Sequence, residues 1–343
     1  MIDVIKELCL LNGVSGREEK VREYLINKIN TFENCKYSID PLGNIIVEKR
    51  GKNRSKKVVM CDAHMDEVGF MITDITQEGF LKFACVGGID KSVLPSKRVS
   101  VNGVSGVIGV KPVHLLDKDE KRKYDEIENM YIDIGAESAE DAGQYVSRGD
   151  DAYFDSEFIE MQNGLIKSKA LDDRLGCAIL LKLLEEESKF DFVCTFSVQE
   201  EVGARGASVL CSQVKPDYAL VVETTTACDL DSVEKDKKVC FLSKGPVVSF
   251  MDNGAIYDRE LYKTAFDIAE ENGITIQTKT LVAGGNNSSA IQTSLNGVKT
   301  CAVSVACRYL HSPSCVIDTS DIDPTVKLLK AMINKLSNDQ ADR

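Results

Sequence analysis

The sequence predicts an α/β protein: a three-layer α/β domain carrying an inserted small all-β unit. Three observations lead there. Helical periodicity and short apolar runs share the first 68 residues or so, and they alternate again after Lys167. From about Gly69 to about Asp155 that periodicity vanishes, and short β-branched runs alternate with Gly, Pro and Asp. At 343 residues the chain is too long for one ordinary domain and suits two. The expected division is a discontinuous domain over 1–68 and 156–343, with a β-rich unit over 69–155.

Val4, Ile5, Leu8 and Leu11 recur at helical spacing and predict a short first helix. Ser15-Gly16-Arg17-Glu18 has the pattern of a capping box, ahead of an amphipathic helix marked by Val21, Tyr24, Leu25 and Ile29. Asn44 to Glu48 and Lys57 to Cys61 read as strands, the second delivering His64 just past its end. Within the insertion, 99–104 and 106–110 are β-branched runs, and a charged loop is expected over Asp117 to Glu128.

Later, Arg174 to Leu184 predict an apolar helix, Phe192 to Val198 a strand, Ala207 to Cys211 part of a helix, and Tyr218 to Glu223 a strand. Leu261 to Ala269 read as helical and Val298 to Val305 as extended; Asp323-Pro324 open a final helix with Pro at its first position. In such sheets ligands gather at the carboxyl ends of the strands. His64, Glu200, Glu201 and Glu223 all follow strand-like runs, so the element order alone brings them together.

Composition excludes several functions. A formal charge of −12 argues against nucleic acid or an anionic membrane as partner, since both are held by Lys and Arg. The same charge suits solubility. With 43% hydrophobic residues the chain can bury a sizeable core. Of twelve cysteines, Cys9, Cys61, Cys85, Cys177, Cys194, Cys240 and Cys301 lie in apolar stretches, and no Cys-x-x-Cys pair occurs. They read as small buried hydrophobes in a reducing compartment. The segment Met1 to Glu7 has neither the basic region nor the apolar core of a signal peptide, and no apolar run approaches a membrane span. A cytoplasmic location is expected.

Only three histidines occur. His64 precedes Asp66, a carboxylate placed to hold the second nitrogen of a metal-binding imidazole. Asp172-Asp173 stand just before an apolar helix, where Asp also caps well; the two roles are compatible, with Asp173 at the helix start and Asp172 on a metal. Glu200-Glu201 are flanked by apolar residues, and neighbouring side chains leaving a strand diverge. One carboxylate can then bind metal while the other faces an attacking water. Glu223 ends the apolar run Ala219 to Val222 and needs a partner there. His311 lies in a loop, and His114, in the insertion, receives no catalytic role. Two imidazoles and several carboxylates suit a pair of divalent metals and hydrolysis.

Taken in order, Ala63-His64-Met65-Asp66-Glu67-Val68-Gly69-Phe70, Val86-Gly87-Gly88-Ile89, Lys169-Ala170-Leu171-Asp172-Asp173-Arg174 and Glu200-Glu201-Val202-Gly203-Ala204-Arg205-Gly206-Ala207 resemble the M42 metallo-aminopeptidases, the group that includes the tetrahedral and glutamyl aminopeptidases. Lys244-Gly245-Pro246, Ala283-Gly284-Gly285 and Arg308-Tyr309-Leu310-His311-Ser312-Pro313 continue the resemblance across nearly the whole chain.

The resemblance implies that His64, Asp172 and Glu223 bind one ion and Asp172, Glu201 and His311 the other, with Asp172 bridging, Glu200 the general base and Asp66 the support of His64. It implies two divalent ions per subunit, zinc or cobalt, and peptide substrates with a free N-terminus. It also implies a dimerisation role for the β unit, and dimers assembling into a dodecamer. Departures from the family pattern are Glu223, where Asp is more frequent, Asn286-Asn287-Ser288 after the paired glycines, Ala306-Cys307 and Cys315.

The rival readings are a related two-metal carboxypeptidase or N-deacylase, a glucanase, and an inactive scaffold. Absence of Trp weakens the glucanase, and competent side chains at every expected position weaken the scaffold.

Overall fold

A computed structural model of the chain describes residues 1–115 and 126–339. Most of the charged loop expected over 117–128 lies outside the described residues. Helices α1 (Ile2–Leu10) and α2 (Glu19–Ile29) open the chain. The expected capping box is not used: α2 starts without a side-chain cap, Ser15 Oγ donates to Asp66, and Glu18 accepts from the N–H groups of Gly16 and Gln199. Both side chains that would have closed the box locally have tertiary partners instead.

Strands β1 (Cys35–Ile39) and β2 (Ile45–Lys49) form a hairpin, and β3 (Val59–His64) follows with every residue buried. His64 is the last residue of β3, not a residue beyond it. Strand β1 was not expected: Cys35, Tyr37 and Ile39 alternate with Lys36 and Ser38, yet the strand is almost wholly exposed and that alternation marks no buried face.

The insertion is a closed barrel. It comprises β4 (Gly69–Ile75), β5 (Leu81–Val86), β6 (Arg98–Val101), β7 (Val104–Val110), β8 (Met130–Asp133) and β9 (Asp151–Phe154), in the order β4-β5-β8-β7-β6-β9. Closure leaves no free sheet edge. Phe70 sits at its centre, edge-on to Phe83 and Phe154 with ring centroids 5.2 and 5.1 Å away. A short helix, α3 (Ala139–Ala142), capped by Ser138, was not legible in the sequence.

After the barrel come β10 (Ile159–Glu160), β11 (Leu165–Ser168), α4 (Leu171–Glu185), β12 (Phe192–Ser197), α5 (Arg205–Val214), β13 (Tyr218–Thr226) and β14 (Val247–Val248). The chain continues through α6 (Arg259–Glu271), β15 (Gln277–Thr278), α7 (Ser288–Gln292), β16 (Lys299–Cys307), β17 (Cys315–Asp318) and α8 (Ile322–Ser337). Pro324 is the third residue of α8 rather than its first; a 3-10 turn over Thr319–Asp321 leads in. The first turn of a helix needs no N–H donor, so Pro is tolerated there too.

The main sheet runs β1-β2-β12-β3-β13-β16-β14-β15, with β12, β3, β13 and β16 mutually parallel. Alternate residues of β3 and β13 face opposite layers. Cys61, Ala63, Leu220 and Val222 join a core with Ile5, Val21, Leu180, Leu261 and Leu328 of α1, α2, α4, α6 and α8. Met60, Ala219 and Val221 pack instead with Ala207 and Cys211 of α5 and Ile291 of α7. Three layers result, as expected. All twelve cysteines are free thiols, most of them buried. Among the described residues no helix is long and apolar enough to cross a membrane.

A buried ionic cluster binds these pieces below the strand ends. Lys169 Nζ lies 2.8 Å from both Glu67 oxygens. Arg174, fully buried, donates to Met65 O at 2.7 Å and Leu8 O at 2.7 Å and reaches Glu67 at 3.4 Å. It ties α1, the end of β3 and the start of α4 together.

Candidate metal centre

At the carboxyl edge of the parallel strands β3 and β12 deliver His64 and the Glu200–Glu201 turn, while Glu223 projects from within β13, which runs on to Thr226 rather than ending at Glu223 as expected. His64 Nε2 lies 3.6 Å from Asp172 Oδ1 and 3.7 Å from Glu223 Oε2. His311 Nε2 lies 3.3 Å from Asp172 Oδ2 and 3.3 Å from Glu201 Oε1. The two carboxylate oxygens of Asp172 therefore face different imidazoles. Donors about 2.1 Å from a tetrahedral ion stand about 3.4 Å apart, so both groups have a spacing that a divalent ion can fill.

The fit has a second sign. Asp172 Oδ1, Glu201 Oε1 and Glu223 Oε1 are buried oxygens without a hydrogen-bond donor. Such oxygens are costly unless a cation or proton satisfies them. Asp173 also lies within reach of His64 and Glu223. Its own oxygens, however, accept the N–H groups of Gly176 at 3.0 Å and His64 at 3.3 Å. Asp173 thus anchors the start of α4 and the end of β3, and Asp172 is the one left facing the centre. Asp172 and Asp173 both have non-helical torsions, so regular helix begins at Arg174.

Each imidazole is oriented from behind. His64 Nδ1 is 3.1 Å from Asp66 O and 3.3 Å from Asp66 Oδ1. His311 Nδ1 is 2.6 Å from the carbonyl oxygen of Gly88, in the loop after β5. Asp66 does more than support His64: its carboxylate accepts from Ser15 Oγ at 2.6 Å, Glu200 N at 3.0 Å and Glu201 N at 3.1 Å. It fixes the turn that carries both glutamates.

The electrostatics follow from burial and crowding. Burial pushes the Glu200 carboxyl up, His64 pulls it down, and neighbouring Glu201, Asp66 and Asp172 help hold it at about 8. Burial also raises Glu223, with Asp173 adding to it. Burial alone would lower His311, but the carboxylates of Asp172 and Glu201 beside its Nε2 push it to about 11. Without a cation the centre holds protons in place of one.

The structure brings His64, Asp66, Asp172, Glu200, Glu201, Glu223 and His311 into one site. Ser15 and the Gly88 carbonyl were not anticipated as parts of it. A hydroxyl far upstream and a backbone oxygen leave no spacing signal; Gly88 stands out in the sequence only within Val86-Gly87-Gly88-Ile89. In the Asn286-Asn287-Ser288 departure, Asn287 Nδ2 donates to Asp62 Oδ2 and Ser197 Oγ, both at 2.7 Å, while Asn286 lines the cavity beside the centre.

Fold and site together define an α/β protein with a carboxylate–imidazole centre at the strand ends and a β-barrel insertion. The chain belongs to the M42 glutamyl aminopeptidase family, whose model matches residues 43–328. It is 38% identical over 331 residues to an Acetivibrio thermocellus protein named provisionally as an aminopeptidase, covering 96% of this chain and 97% of that one. It is 30% identical to the lysyl aminopeptidase of Pyrococcus furiosus (97% of each chain) and 30% identical to the glutamyl aminopeptidase of Lactococcus lactis (99% and 98%).

Among solved structures, a Pyrococcus horikoshii TET1 peptidase that can assemble into a tetrahedron or a large octahedral shell superposes with a TM-score of 0.84 at 37% identity, over 96% and 98% of the two chains. A Thermotoga maritima protein described as an endoglucanase superposes at 0.80, also at 37% identity, over 97% and 98%.

Proposed function

We propose that this chain is a metal-dependent aminopeptidase that removes N-terminal residues from peptides. The observation that carries the reading is Asp172, whose two oxygens face His64 on one side and His311 on the other. His64, Asp172 and Glu223 would hold one divalent ion, and Asp172, Glu201 and His311 a second; zinc or cobalt suits this set of nitrogen and oxygen donors. When bound, such ions acidify water and polarise the scissile carbonyl.

The rest is done by the chain. Glu200 lies beside both groups, its backbone held by Asp66, and no side-chain hydrogen bond occupies its carboxylate among the described residues. It takes the proton of the attacking water and delivers it to the leaving amine, a task suited to a carboxyl raised towards neutrality. Asp66 keeps His64 in one tautomer and the glutamate turn in one geometry.

The two units would be 1–68 with 156–343, and 69–155. The P. horikoshii protein can assemble into closed shells; in this chain the barrel would serve self-association, as dimers building a dodecamer. The charge of −12 and the free thiols, most of them buried, support a cytoplasmic enzyme that engages neither nucleic acid nor membrane. The endoglucanase name of the T. maritima protein raises a carbohydrate alternative. Against it, the described residues that line the cavity at the centre include no aromatic ring on which a sugar would stack.

The deciding experiment incubates zinc- or cobalt-loaded protein with a peptide pool, half of it N-acetylated, and follows products by mass spectrometry. Stepwise loss of N-terminal residues from free-amine peptides alone is expected. C-terminal trimming would reassign the protein as a carboxypeptidase, and loss of acetyl groups as a deacylase. Glu200→Gln should lower kcat by about 10²–10⁴-fold with metal content unchanged by elemental analysis.

A further inference from the structure

Two of the departures from the family pattern, Cys307 and Cys315, meet in the structure. Cys307 closes β16 and Cys315 opens β17, so together they bracket the loop that carries His311. Arg308 and Val316 bridge the two strands by a pair of backbone bonds, 2.9 and 3.0 Å, which holds the strand ends side by side. Both cysteines are buried, and their thiols hydrogen-bond each other.

The pair also holds the loop. Cys315 Sγ donates to Tyr309 O and Ser312 O, each at 3.5 Å, and Cys307 Sγ donates to Arg308 O at 3.5 Å. Tyr309 and His311 have φ of 59° and 56°. A residue with a Cβ keeps that left-handed backbone only where its surroundings hold it, and the thiol donors are part of the hold. Cys315 is within reach of the centre as well. It lines a small cavity with Asp172, Glu201 and His311, and the same three residues line the cavity of about 660 Å³ open to substrate. A small oxidant entering from the larger cavity therefore meets Cys315 before Cys307, which lines neither.

We propose that Cys307 and Cys315 are a peroxide-modified pair, and that their disulfide releases the ion held through His311. The release rests on the metal-centre reading above. The Cys315 sulfur attacks one oxygen of hydrogen peroxide; the O–O bond breaks, water leaves and a sulfenic acid remains. The Cys307 sulfur then attacks that sulfur, the S–O bond breaks and a second water leaves. Two thiols and one peroxide give one disulfide and two waters. The sulfurs lose two electrons, the peroxide gains them, and both thiol protons end in the waters. Neither sulfur then has a proton to donate, so Ser312 O, beside His311, loses its thiol donor and the loop relaxes. Groups that orient a metal-binding imidazole set affinity by about 10–100-fold, and a drop of that size is expected for this ion.

The test treats zinc-loaded full chain with hydrogen peroxide and follows peptide masses, bound zinc and turnover. Trypsin cuts after Arg308, so the disulfide joins peptides 300–308 and 309–327, lighter by two hydrogens than their sum. Fragmentation separates Cys307 from Cys301, which shares the first peptide. The expected result is the joined pair, loss of zinc to a chelating dye, and recovery of zinc binding and turnover with a phosphine reductant. Cys307→Ala should keep its turnover before peroxide and show no phosphine-reversible loss after it, because Cys315 has lost its partner.

Cys307 and Cys315 left unjoined by peroxide overturn the proposal, as does a joined pair with zinc and turnover unchanged. Reversible loss of equal size in folded Cys307→Ala also overturns it. Should that variant misfold by circular dichroism, the wild-type peptide map and zinc count decide. A chain that binds no zinc before treatment defeats the metal-centre reading, and the release with it, while the peptide map still decides the pair.

Discussion

At the scale of single residues, the centre is a set of charges that cannot coexist without a cation or protons. His311 sits near 11 because Asp172 and Glu201 outweigh its burial, so its ring is protonated at neutral pH when no ion is bound. A ligand must be neutral, hence ion uptake there expels a proton. Affinity should rise about tenfold per pH unit for each proton released, and weaken as pH falls. Calorimetry in buffers of different ionisation enthalpy measures the number released; uptake without release would contradict the His311 assignment. Asp172→Asn should lose both ions together, whereas Glu223→Gln should empty chiefly the His64 position.

Ser15→Ala removes the 2.6 Å bond to Asp66. A hydrogen bond to a charged group is worth about 1.5–3 kcal/mol, so kcat should fall about tenfold or more with KM little changed, and Ser15→Thr should restore it. The seven residues that the structure gathers could be singled out beforehand because strand-like runs precede His64, Glu200, Glu201 and Glu223, while Asp66, Asp172 and His311 stand in motifs of the family pattern. Ser15 and Gly88 could not, since what matters there is distance in space and a main-chain oxygen.

At the scale of elements, the supports of the site are tight. The start of α5 passes so close to β12 that a Cβ on Gly206 would stand 2.4 Å from Val198 O and 2.4 Å from Asn44 Oδ1. Gly206→Ala must push the helix away from the strand that ends in the glutamate turn. The expected cost is about 1–3 kcal/mol in urea denaturation, with activity lost beyond the loss of stability.

Arg174→Met leaves Glu67 paired with Lys169 but removes the bonds that tie Met65 O and Leu8 O to α4, and should cost about 1–3 kcal/mol. Elements with an inner face were legible: β3, β13, β16 and α4 appear within a few residues of where the pattern put them. The exposed hairpin strand β1, the two-residue strands β14 and β15, and the short sheet of β10, β11 and β17 were not. Strand β1 faces solvent, β10, β14 and β15 are two residues long, and β11 pairs with the distant β17. The misread capping box has the same origin, because Ser15 is claimed by a carboxylate fifty-one positions away.

At the scale of the whole molecule, the loss of helical periodicity after residue 68 marked the barrel, and its closure explains why a unit so small keeps its own core. A homo-oligomer is expected by light scattering, at a multiple of 37.7 kDa; a monomer at micromolar concentration would remove the proposed assembly.

The bond from His311 to Gly88 has a consequence that reaches across this architecture. The ring that completes one half of the centre is steadied by a carbonyl of the insertion, at 2.6 Å. Hydrogen bonds weaken steeply with misalignment. The centre is therefore a gauge of how the barrel is seated on the body of the protein. A tilt of the barrel would reach the imidazole before it disturbed any strand of the main sheet, so whatever grips the barrel also has a hand on the chemistry.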